Sequence, residues 1–136
     1  GFYTSYLLIR DKIHRLLREN DVKKLVIFGQ SLGAALQTLC AVDVRYNFPD
    51  IQVISFNTGS PRVGNKAFAE SFNKRITDHI SYKYGSDIVT SVPPKIFDFC
   101  HVHGMIRIKS KTIWYPFKSI VNHLWKNYAR VLRNRA

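Results

Sequence analysis

Leu25-Val26-Ile27-Phe28-Gly29-Gln30-Ser31-Leu32-Gly33-Ala34-Ala35-Leu36 is an apolar run that breaks at a glycine-flanked serine and resumes as a helix former. It reads as a strand, a tight turn carrying Ser31, and a helix. In a nucleophile elbow the serine sits on a strained strand-to-helix turn, and glycines two residues to either side, here Gly29 and Gly33, remove side chains that would collide. The N–H groups that open the following helix point toward the serine, where a developing oxyanion needs donors. The Leu32 backbone N–H is therefore the candidate oxyanion donor. Gly-x-Ser-x-Gly alone is weak, since it arises by chance in about one chain of this length in twenty. Its setting is stronger: Leu25 to Phe28 is strand-like, and Ala34, Ala35, Leu36, Leu39, Ala41 and Val42 favour a helix.

A chain of 136 residues that is 46% hydrophobic is long enough for one domain with a real core and too short for two ordinary ones. The longest apolar window, residues 25–42, is interrupted by Gln30, Ser31, Gln37 and Thr38, so no membrane span is predicted. No signal peptide is visible, and the compartment stays unassigned. The net charge is +12, and no acidic residue follows Asp98, whereas Arg107, Lys109, Lys111, Lys118, Lys126, Arg130, Arg133 and Arg135 do. Such a segment attracts an anionic membrane or an acidic partner. A nucleic-acid partner is not expected, because no aromatic-basic repeat, zinc spacing or recognition-helix motif is present. Cys40 and Cys100 are too few for a disulfide framework or a metal site and read as buried thiols. No metal or cofactor is expected.

Around the elbow, residues 3–18 place Tyr3, Tyr6, Leu7, Ile13, Leu16 and Leu17 at helical spacing, with Thr4 or Ser5 as the cap. The helix after Ser31 runs over residues 32–46 and is apolar nearly all round, hence buried. A strand over 51–56, a helix capped by Asn65 with Phe68, Ala69, Phe72 and Ile76 inward, and a strand over 80–84 follow. Strand, helix, strand, helix and strand in succession predict a mostly parallel sheet flanked by helices. Residues 102–108 and 112–115 read as an antiparallel pair, and 122–133 as a terminal helix.

A serine hydroxyl needs a base within hydrogen-bond reach and a carboxylate that orients the base. Asp87 directly follows the third predicted strand, at the carboxyl edge where such sheets place their sites, and Asp98 is the second choice. Asp43, Asp50 and Asp78 read as helix-end or solvent-facing groups. His14 and His79 come before Asp87 and read as structural or exposed. His101, His103 and His123 all follow it, and position alone leaves each of them open as the base.

The chain resembles the class 3 (fungal-type) lipases over nearly its whole length. The resemblance lies in Gly29-Gln30-Ser31-Leu32-Gly33-Ala34-Ala35-Leu36, in Thr58-Gly59-Ser60-Pro61-Arg62-Val63-Gly64-Asn65, and in Asp87-Ile88-Val89 with Pro93-Pro94 and Phe99-Cys100-His101-Val102. Gln30 stands where the family usually has histidine, and Ala34 where it often has glycine. The resemblance implies an α/β-hydrolase fold and a serine hydrolase that cleaves acylglycerols. Ser31 would be the nucleophile, Asp87 the acid and His123 the base, with His103 as the fallback and His101 structural. It further implies that residues 1–136 are a single domain forming the C-terminal part of such a fold, without the family's N-terminal strands, lid and second oxyanion donor. The implied partners are a lipid or ester substrate and, at the periphery, an anionic membrane or lipid-droplet surface. The other readings are a non-catalytic lipase-like module that binds such a surface, and an esterase for small soluble esters.

Overall fold

A computed structural model describes residues 1–110 and 117–134. The elements in chain order are α1 (Phe2–Glu19), β1 (Lys24–Gln30), α2 (Leu32–Asn47), β2 (Gln52–Thr58), α3 (Lys66–Arg75), β3 (His79–Tyr84), β4 (Met105–Ile108), α4 (Lys118–His123) and α5 (Trp125–Arg133). The strands lie in the order β1-β2-β3-β4, and every neighbouring pair is parallel. The chain therefore steps across the sheet in one direction, and the turns that follow β1, β2 and β3 gather at one edge.

Side-chain alternation decides what each face of the sheet packs against. Leu25, Ile27 and Val53 pack with Cys40, Ala41 and Val44 of α2 and with Phe72 and Ile76 of the α3 segment. The opposite face carries Val26 and Phe28, both more than half exposed, with Phe28 stacked on Phe56 at 5.2 Å. Farther along that face, Tyr84 and Ile108 bury themselves against Tyr128 of α5. Asn65 caps α3 as expected, its side chain accepting the Phe68 N–H at 3.0 Å.

Several expectations need correction. β4 pairs in parallel with β3 instead of forming a hairpin; residues 112–115, its expected partner, lie outside the described residues. The terminal helix is two helices, divided at Leu124, whose extended backbone (φ −61°, ψ 130°) ends α4 at His123. In α1 only Tyr6, His14 and Leu17 are buried, while Tyr3, Leu7 and Leu16 are exposed, because a single line of the helix rests on α2. That line explains Asp43, which is not a solvent-facing group: it accepts the Tyr6 hydroxyl at 2.7 Å, Arg10 Nε at 3.1 Å and His14 Nε2 at 2.6 Å. Burial pushes the Asp43 pKa up, but the bonds from Tyr6, His14 and Arg10 outweigh it and hold the carboxylate below its usual range. Cys40 is buried as expected, whereas Cys100 is only partly so.

A second polar chain crosses the core beneath the sheet. Asn57 donates to Gln37 Oε1 at 3.1 Å, Gln37 donates to Ser55, and Ser55 Oγ lies 2.6 Å from His79 Nδ1. Burial first, and then the neighbouring His103, lower the His79 pKa to about 4. A histidine whose folded pKa lies below its unfolded value of about 6.5 contributes stability that is complete above pH 6.5 and is lost as the pH falls toward 4. Urea unfolding will therefore show stability declining across that window, by up to about 3 kcal/mol. His79→Gln should flatten the decline; an unchanged slope in that variant would assign it elsewhere.

Candidate active site

Ser31 stands between β1 and α2 with φ 55° and ψ −124°. A positive φ on a residue with a side chain costs on the order of 1–3 kcal/mol, and the elements on either side hold it there. The Ser31 N–H donates to the Thr58 carbonyl at 3.2 Å, and the Ser31 carbonyl accepts the Ala34 N–H at 3.0 Å. Gly29 is required, because a Cβ there would overlap the Gly33 carbonyl and come within 2.8 Å of Ala34 Cα. Gly33 does not share that role: a Cβ there meets nothing within 4 Å, so the expectation of collisions on both sides holds on one side only. The Leu32 N–H opens α2, where helix geometry provides no intrahelical acceptor.

The structure brings Ser31, Asp87 and His123 together. Ser31 Oγ lies 2.8 Å from His123 Nε2, and His123 Nδ1 lies 3.0 Å from each Asp87 carboxylate oxygen. The break at Leu124 leaves His123 at the end of α4, and Gln30 Nε2 donates to its carbonyl at 3.2 Å. The residue beside the elbow serine is thus tied to the histidine's backbone.

Asp87 is fully buried just beyond β3. It accepts the Val89 N–H at 2.9 Å and the Tyr128 hydroxyl at 2.5 Å, and these donors replace the hydration that burial removes. Tyr128 in turn accepts the Tyr84 N–H at 3.0 Å. Burial and then the bond to Asp87 raise the Tyr128 pKa far above the ordinary phenol value, so the hydroxyl keeps its proton and remains a donor.

Gly59, with φ 59°, faces the acid–base pair: a Cβ on it would lie 2.9 Å from Asp87 Oδ2 and 3.0 Å from His123 Nδ1. Gly59→Ala should lower kcat by about 10²-fold, because displacing a reacting group by an ångström costs that much. Steady-state hydrolysis of a soluble ester measures it, and a near-native kcat would show that the space is dispensable.

The remaining candidates sit elsewhere. His103 places Nε2 2.6 Å from the Ile76 carbonyl and its backbone N–H on Asn73 Oδ1, so the structure does not bring it to Ser31. His101 places Nε2 2.8 Å from the Thr90 carbonyl within the acid loop, and burial lowers its pKa. His14 and His79 are buried, and Asp98 is exposed. Gly59 and Tyr128 are not singled out for the site by the sequence: the first reads as one glycine of a loop, the second as part of an apolar helix face.

The model of the family described as Lipase (class 3) matches residues 1–97. The chain belongs to the class 3 lipases. Among its relatives in this family is a secreted mono- and diacylglycerol lipase of Malassezia restricta, 34% identical over 134 residues, a match covering 93% of this chain and 45% of the relative. The chloroplastic phospholipase A(1) DAD1 of Arabidopsis thaliana is 36% identical over 103 residues, covering 72% and 23%. Among solved structures, lipase II of Rhizopus niveus superposes with a TM-score of 0.76 at 27% identity, covering 91% of this chain and 56% of that one. The fold is thus the α/β-hydrolase fold of the fungal lipases. The chain spans less than half the length of the curated relatives it matches, 45% in the Malassezia case and 23% in the Arabidopsis case.

Proposed function

We propose that this class 3 lipase chain supplies the nucleophile, acid and base of a carboxylic ester hydrolase acting on acylglycerol-type lipids, and that residues 1–136 form one domain. The observation that carries the reading is the line of hydrogen bonds from Ser31 Oγ through His123 to Asp87. In the proposed reaction, His123 Nε2 takes the Ser31 proton as Oγ attacks the ester carbonyl, and the Leu32 N–H meets the oxyanion. Asp87 accepts the His123 Nδ1–H and stabilises the imidazolium. The proton passes to the departing alcohol, leaving an acyl-serine. Water, deprotonated by His123, then releases the fatty acid and restores Ser31.

A lipid rather than a small soluble ester is favoured by the exposed apolar side chains on the segments that carry the triad. Ile96 and Phe97 lie on the acid loop, Phe117 just before α4, Ile120 and Trp125 on the two helices around His123, and Leu32 beside Ser31. Relatives named as a mono- and diacylglycerol lipase and a phospholipase A(1) support the same substrate class.

A fluorophosphonate probe tests the assignment. The full-length protein should label at one serine, and Ser31→Ala should not label. Persistent labelling of that variant would remove Ser31 from the reaction. A native protein that neither labels nor hydrolyses esters, yet binds anionic vesicles, would leave the non-catalytic reading.

A further inference from the structure

An open cleft of about 390 Å³ lies beside the acid loop, lined by Gly85, Ser86, Arg107, Ile108, Lys109, Ser110 and Lys118. Three of these residues are cations and none is an acid. The nearest carboxylate in the chain, Asp87 beside Ser86, is taken up by His123, Val89 and Tyr128, and nothing acidic follows Asp98. Among the described residues no carboxylate forms an ion pair with Arg107, Lys109 or Lys118. Arg107 also stands directly opposite Lys83 in the β3–β4 register. Like charges facing each other across a strand pair destabilise a sheet, and the Lys83 pKa is lowered first by burial and then by Arg107, with Asp87 acting the other way.

The floor of the cleft is built rather than incidental. Gly85 adopts φ 51°, and a Cβ on it would lie 2.5 Å from Asn122 Nδ2 and 2.6 Å from Ser110 Cβ. The fully buried Asn122 accepts the Ser110 hydroxyl at 3.3 Å and donates to Ser86 Oγ at 3.2 Å. Because Ser86 accepts from Asn122, its own proton is left to donate to an acceptor in the cleft. Three cations around the Ser86 hydroxyl form the donor set that a tetrahedral oxyanion takes.

We infer that the cleft formed by Ser86, Arg107, Lys109, Ser110 and Lys118 binds the phosphate of an anionic lipid headgroup. The choice of a lipid over soluble phosphate rests on the proposed action at a lipid surface; the anion chemistry does not. Ser86 and Asn122 immediately precede Asp87 and His123. A headgroup seated here holds the membrane against the same edge of the molecule that carries the triad.

The test uses the full-length protein carrying Ser31→Ala, so that no lipid is consumed, in co-sedimentation with phosphatidylcholine vesicles with and without phosphatidylglycerol. Each cation near a charged bilayer contributes about five-fold in binding. Arg107→Gln/Lys109→Gln/Lys118→Gln should therefore weaken binding to the anionic vesicles by roughly a hundred-fold, and leave the weak binding to neutral vesicles unchanged. The charge-keeping Arg107→Lys/Lys118→Arg should retain most of the binding, which separates loss of charge from loss of fold. Neutralising the exposed Lys12, Arg15 and Lys24 on the far side of the sequence should cost far less. Equal losses from both triple variants would mean diffuse attraction and overturn the cleft. Inorganic phosphate should compete with the vesicles; a protein that binds phosphate but ignores anionic vesicles would make the ligand soluble and overturn the lipid assignment. Vesicle binding by the native protein without ester hydrolysis would sink the hydrolase reading and leave the cleft standing.

Discussion

Alanine at Ser31, at His123, or at both together should lower kcat for ester hydrolysis by about the same factor, on the order of 10⁶. The equality is the informative part. Ser31 Oγ and His123 Nε2 are 2.8 Å apart and share one proton, so removing either leaves the other without a task. His123 without Ser31 has no proton to take, and Ser31 without His123 is an ordinary alcohol. His103→Ala belongs in the same series. Its Nε2 is held at the Ile76 carbonyl, so it should leave kcat close to native while costing some stability. Losses at Ser31 and His123 that add, or a large kcat loss in His103→Ala, would replace this assignment of the base. The measurement is single-substrate kinetics on a soluble ester, with circular dichroism melts reporting the fold.

Asp87→Asn should lower kcat by about 10⁴-fold with the backbone intact. The native carboxylate accepts from His123 Nδ1, from the Val89 N–H and from the Tyr128 hydroxyl. An amide in its place can turn its oxygen toward only part of this set. If it presents its NH₂ to His123, the ring is driven to the tautomer that carries its proton on Nε2, facing the serine hydroxyl it should deprotonate. Tyr128→Phe is the graded companion: it deletes the hydroxyl that donates to Asp87 and accepts the Tyr84 N–H. Losing these buried hydrogen bonds should cost about 1–3 kcal/mol of stability, and kcat should fall far less than in Asp87→Asn. A Tyr128→Phe variant with native kcat and a native pH profile would reduce the tyrosine to packing. Asp87→Asn with native kcat would remove Asp87 from the site.

The order of elements was legible because the relevant signals are local. Short apolar runs at Leu25–Phe28 and from Ile51 to Phe56 mark strands, and Asn65 announces the start of a helix through a cap that involves only its own first turn. Ser31 and Asp87 were legible because a parallel sheet puts the ends of its strands at one edge, so position in the chain implies position in the site. The direction of β4 was not, since an apolar strand carries the same alternation whichever way its neighbour runs. Asp43 misled for a related reason: a carboxylate on a helix looks solvated until another helix brings Tyr6, Arg10 and His14 to it.

The elbow marks the same division at closer range. By itself the sequence determined that Ser31 sits between a strand and a helix, that an acid follows a later strand, and that the chain after Asp98 carries only basic charged side chains. Tertiary structure decided that His123 rather than His103 meets Ser31, that Gly59 leaves room for the acid–base pair, and that Tyr128 turns its hydroxyl onto Asp87. The physical reason is sequence separation. Ser31 and His123 are 92 residues apart, and Asp87 and Tyr128 are 41 apart. Contacts of that range depend on how finished elements pack, which no local pattern encodes.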